Sequence, residues 1–173
     1  DASTDGHSNI GIGKNALGAL TTADENTAVG TNALGANTSG TRNTAIGAIA
    51  MEDNTTGTNN TAVGKGALAN NTTADDNCAF GIESLFDNTT GAGNTALGYA
   101  ALANNTTAAN NTAVGKNALL LNTTGASNTA LGMGSVTFNT TGNNNTGVGY
   151  LALNANTTAD SNTAVGFQVL AAN

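Results

Sequence analysis

Few side chains in this 173-residue chain are suited to chemistry. His7 is the single histidine, so any nucleophile–histidine pair would have to use it, and general-base work needs a partner positioned in a cleft. Cys78 is the single cysteine, which excludes a disulfide framework within one chain; it stands in a column of threonines, between Thr61 and Thr95, and reads as a small residue replacing Thr. Three adjacent carboxylate pairs, Asp24–Glu25, Glu52–Asp53 and Asp75–Asp76, could offer oxygen ligands to Ca²⁺. A repeating metal site should repeat its ligands, yet related turns carry Ala109, Ser127 or Asn143–Asn144, so these pairs read as solvated turn charges. The glycines form no G-x-x-x-x-G-K-S/T phosphate loop. Four Lys plus Arg against 11 Asp plus Glu give a net charge of -7, which argues against nucleic acid as a partner. No run of 18 apolar residues exists, so no membrane insertion by a helix is expected. The chain reads as a non-enzyme without catalytic residues, metal or cofactor.

The elements that would position these residues are repeats. Asn26, Asn43, Asn60, Asn77, Asn94, Asn111, Asn128, Asn145 and Asn162 recur every 17 residues, with Asn9 before them. Gly30, Gly47, Gly64, Gly81, Gly98, Gly115, Gly132, Gly149 and Gly166 keep the same register, with Gly13 before them. The unit is N-T-A-V-G-x-x-A-L-x-x-N-T-T-G-x-x, without insertion or deletion. Residues 1–173 therefore read as a single solenoid domain: 1–8 a partial repeat, 9–173 ten repeats, the last truncated. Strict spacing is what a solenoid needs, because one extra residue puts a coil out of register with its neighbours.

Composition alone points elsewhere. Ala, Thr, Asn and Gly fill 114 of 173 positions, whereas Leu, Ile, Val and Phe total 30. Such scarcity, with net charge, is the signature of disorder and rules out a large conventional core. The register argues for order instead. The predicted fold is all-β, a parallel β-solenoid or β-roll of about ten 17-residue coils. Two extended segments per coil are expected, T-A-V-G (Thr112 to Gly115) and x-A-L-x (Asn117 to Leu120), with N-T-T-G-x-x turning into the next coil. At about 4.8 Å per coil, ten coils span roughly 48 Å.

Two apolar columns run up this stack. Position four holds Val29, Ile46, Val63 and Val114; position nine holds Leu34, Leu68, Leu102 and Leu119. Position three is Ala or Gly. Neighbouring strand residues face opposite ways, so positions three and four cannot share one interior. The expectation is that Ala and Gly line a thin coil while the Val and Leu columns pack on other chains, giving an oligomer. The converse keeps Val and Leu inside a monomer.

The Asn columns at positions one and twelve read as amide ladders. The competing reading is glycosylation, since Asn54, Asn71, Asn88, Asn105, Asn122, Asn139 and Asn156 each begin N-T-T. Ice binding would need paired Thr columns on one face, whereas Thr123–Thr124 and their equivalents are adjacent. Position six varies most, and Lys and Tyr each recur there every three units. Tyr99, Tyr150 and Phe167 at this position could form a contact stripe suited to a cell-surface glycan or protein receptor, with drift after duplication as the better account.

The A-V-G and A-L-G elements, separated by small residues, resemble the head repeats of trimeric autotransporter adhesins. The longer string Asn111 to Gly125 is similar to repeat arrays in phage tail fibres and large surface proteins. The resemblance covers essentially the whole chain, although those head repeats are usually shorter than this one. It implies a homotrimeric β-roll working as a stiff extracellular shaft or head segment, on a cell surface, in a secreted filament or on a virion. A self-assembling filament, stacked end to end through uncapped coils, is the alternative, and an ice-binding protein a more distant one. On either leading reading the principal partner is the chain itself.

Overall fold

A computed structural model describes residues 6–172. The fold is an all-β parallel β-solenoid. Ten strands of three residues each follow in order: β1 (Ile10–Ile12), β2 (Thr27–Val29), β3 (Thr44–Ile46), β4 (Thr61–Val63), β5 (Cys78–Phe80), β6 (Thr95–Leu97), β7 (Thr112–Val114), β8 (Thr129–Leu131), β9 (Thr146–Val148) and β10 (Thr163–Val165). They form one sheet in sequence order, every neighbour parallel and in register, so that Thr27 lies against Thr44 and Val29 against Ile46. Coils are numbered below by the strand they contain. Ser3, Thr4 and Asp5 of the partial repeat, and Asn173, lie outside the described residues.

Only one of the two expected extended segments is a strand. Positions five to twelve form three overlapping turns instead. In coil two, Ala33 N–H donates to Gly30 O, Gly35 N–H to Asn32 O, and Asn37 N–H to Leu34 O. Between these local bonds, Leu34 N–H and Ala36 N–H reach the next coil at Ala50 O and Glu52 O. Asn32 and Leu34 adopt left-handed φ of 57° and 50°, and each stands third in its four-residue turn, where a positive φ marks type II. Asn at position seven suits that conformation; Leu at position nine does not.

The left-handed leucine is explained by where it points. Leu34, Leu68, Leu102 and Leu119 are fully buried, which corrects the expectation that this column packs on other chains. A left-handed L-residue costs roughly 1–2 kcal/mol. Burying a Leu side chain returns about 1.5–3 kcal/mol, and the bond from its N–H to the next coil adds to that. The Leu column therefore joins Ala28, Ala45, Ala62 and their equivalents, and the Ala column at position eight, in one narrow core running the length of the rod.

The Val column behaves differently. Alternation along each strand sends position three inward and positions two and four outward, so Val29, Val63 and Val114 are half-buried and Ile46 is exposed. Neither sequence alternative holds whole: Leu lies inside with Ala, and Val lies outside.

Candidate functional site

Two Asn ladders close the core on its polar side. At position one, Asn26 Oδ1 accepts the N–H of Asn43 at 3.0 Å, and Asn43 Nδ2 donates to the Gly57 carbonyl at 2.8 Å. At position twelve, Asn54 Nδ2 donates to Asn37 Oδ1 of the coil before at 2.9 Å and to Gly57 O at 3.1 Å. Coils two to four and six to nine thus gather two amides onto the carbonyl of position fifteen. The ladder residues Asn43 to Asn145 and Asn37 to Asn156 are buried, while Asn162 is partly open. Asn77 Nδ2 is the single buried side-chain donor without a partner among the described residues. Asn54, Asn71, Asn88, Asn105, Asn122 and Asn139 are fully enclosed, with amide hydrogens already donated, which leaves no room for a glycan.

Threonine at position thirteen is also committed. Thr55 Oγ1 and the N–H groups of Thr55 and Thr56 all donate to Thr72 O, so one carbonyl receives three donors. Its neighbour at position fourteen, such as Thr124, stays exposed. The corner glycines at position five have φ of 128° to 138°. A Cβ on Gly115 would sit 2.7 Å from the Gly132 carbonyl oxygen of the next coil.

The chemistry-bearing residues are dispersed. His7 precedes β1 and Cys78 opens β5, with β1 to β4 between them. Cys78 lies half-buried on the outer face, and burial pushes its thiol pKa up. The acidic turns are more than solvated charges. Asp75 Oδ1 accepts both the N–H (2.7 Å) and Oγ1–H (3.0 Å) of Thr58, one coil earlier. Asp160 does the same for Asn143 through N–H and Nδ2, and Asp24 accepts the His7 N–H. The recurrence of Asp24, Asp75, Asn143 and Asp160 at position sixteen was the available signal for this coil-to-coil tie. No group of three or more His, Cys, Asp or Glu is gathered for a metal among the described residues.

The outer surface carries two longitudinal features. The first is the sheet face, with an unbroken apolar column from Ile12 to Val165. The second is a groove between positions six and seven on one side and ten and eleven on the other. Sequence reasoning noted position six but missed the opposite wall, because Phe86, Leu120 and Phe138 fall in the irregular part of the repeat. One stretch, about 550 Å³, is lined by Glu83, Phe86, Asp87, Tyr99, Asn104, Asn117 and Leu120. A second, about 290 Å³, is lined by Lys116, Asn117, Met133, Thr137, Phe138, Leu151 and Asn154. A third, in coils one to three, is lined by Asn15, Asn32, Glu52 and Asp53 at the same repeat positions, without aromatic rings.

Of the contact-stripe residues, Tyr150 and Phe167 stack with ring centroids 5.2 Å apart. Tyr99 stands separately, with Lys116 Nζ 5.8 Å from its ring centre. Comparison of the chain with protein-family models, curated proteins and solved structures returns no match. No helix among the described residues is long and apolar enough to cross a membrane.

Proposed function

We propose that this chain is a non-catalytic, stiff segment of an extracellular fibre, of the adhesin or tail-fibre kind, and that it works as a homotrimer whose protomers meet on the outward face of the sheet. The observation that carries this reading is the position-four column. Its side chains range from partly buried at Val29 to 60% exposed at Ile12 and 64% at Val165, with Phe80, Leu97 and Leu131 near the middle. A continuous apolar strip over ten strands is more than a lone rod leaves in water without consequence. A second copy offers the same flat, in-register strip, and closed symmetry lets three such strips cover one another. The resemblance of the A-V-G and A-L-G elements to trimeric adhesin heads agrees with this arrangement.

Stiffness follows from the ladders. Coils two to nine are tied to one another by backbone bonds, two Asn columns, and in most coils a Thr hydroxyl, so bending would strain many bonds at once. Sedimentation velocity on the purified chain tests the assembly, with three chains per particle as the expected mass. Electron microscopy should show short rods, about 43 Å long for nine coil spacings. A stable monomer would overturn the trimer, and long uniform fibres would favour end-to-end stacking instead.

A further inference from the structure

We propose that the groove over coils five to nine binds a neutral oligosaccharide lying along the rod. The two aromatic stretches of the groove adjoin at Asn117, which lines both, so they follow one another along the rod. Four coil spacings give it a length of about 19 Å, which suits an extended chain of sugars better than a single ring.

Chemistry at the walls selects the ligand class. Tyr99, half exposed, and Phe86 present rings on which the C–H face of a sugar can stack. The side chains of Glu83, Asn104 and Asn117 border the same space and make no hydrogen bond within the described residues. Amides and carboxylates beside aromatic rings match the paired donor and acceptor character of vicinal hydroxyls.

Backbone atoms argue against a peptide strand as occupant. Ala100, Leu102 and Asn104 donate their N–H groups to Ile82 O, Ala118 O and Leu120 O in neighbouring coils, so the groove offers no free edge for strand addition. Charge disfavours acidic glycans. Glu83 and Asp87 line the groove of a chain with net charge -7, against one cation, Lys116, among its described lining residues.

The inference supplies a partner class to the fibre reading but rests on the groove alone. Its test is calorimetric titration of the full chain with cellohexaose, chitohexaose and mannohexaose, with heparin as the anionic comparison. Sedimentation of the same samples follows oligomeric state separately. Saturable binding of at least one neutral hexasaccharide is expected, weakened tenfold or more by Tyr99→Ala and by Asn117→Ala, and largely kept by Tyr99→Phe. Thr124→Ala, on the exposed turn away from the groove, should bind as the parent does. Should Tyr99→Ala melt early, Asn104→Ala replaces it. No binding of any neutral probe, binding unmoved by the groove substitutions, or preference for heparin each overturns the proposal.

Discussion

Asn111 and Asn122 end on the same acceptor: both donate Nδ2 to the Gly125 carbonyl, at 3.0 and 2.8 Å. The carbonyl has no other donor among the described residues, and all three residues are buried. Asn111 also accepts the N–H of Asn128, and Asn122 donates to Asn105 Oδ1 and accepts from Asn139. Removing either amide orphans groups that water cannot reach. Asn111→Ala and Asn122→Ala should each cost about 1–3 kcal/mol. The double variant should exceed their sum, since only then does the Gly125 oxygen lose its last donor, with coupling of about 0.5 kcal/mol or more. Urea unfolding of the four proteins measures this, and simple additivity would contradict the shared-acceptor account.

Gly115→Ala and Gly35→Ala should differ sharply. Gly115 has φ of 129°, and its added Cβ would strike the next coil's backbone. Backbone strain alone should cost about 1–3 kcal/mol, with the clash adding to it. Gly35 stands at a position where other coils carry Ala69 and Ala103, and its nearest atom to an added Cβ is its own turn's Asn32 oxygen at 3.2 Å. Its replacement should shift stability by less than about 1 kcal/mol. Thermal melts of the two variants decide the matter, and equal effects would refute the corner argument.

Leu119→Ala empties a fully buried site in a single-file core with few neighbours to move in. The expected loss is about 2–5 kcal/mol, read from the denaturation midpoint. Val114→Ala, on the outer face, should cost a lone protomer much less.

Val114→Asp tests assembly rather than folding. The side chain is half-buried on the sheet face, so the protomer should keep its far-UV spectrum while the assembly dissociates. Sedimentation at several concentrations separates the two effects. Retention of the full assembly mass would move the interface off this face.

Cys78 should alkylate slowly. Its thiol pKa is raised by burial, so the folded chain holds this proton to higher pH than the unfolded chain does. The associated stability is complete below the unfolded thiol's pKa and is lost as pH rises through the folded value. Iodoacetamide rates against pH should show a midpoint above that of the urea-unfolded protein; a midpoint at or below it would contradict the burial effect.

Much of this architecture was legible because the repeat is strict. The parallel stacking and the strand T-A-V follow from the constant spacing of 17 and the alternation of Ala28 with Val29. The turn at positions five to twelve was not legible, because Ala118–Leu119 has the composition of a strand. Its left-handed backbone is usually announced by Gly or Asn, and here only Asn117 announces it. Leu119 takes that conformation for the sake of the core, a tertiary demand that local propensity does not reveal. The groove was hidden for a related reason. Phe86, Tyr99 and Asn117 occupy different repeat positions and become neighbours only when the coils are stacked.

The in-register pairing of every coil has a consequence for growth. Since Thr27 meets Thr44 as Thr112 meets Thr129, the strand pairing between any two neighbouring described coils is the same. Duplicating or deleting one 17-residue block in the gene would lengthen or shorten the rod by a single step of about 4.8 Å and leave no mismatched seam. Reach becomes a quantity that unequal recombination can adjust in whole increments, while the fold itself is left untouched.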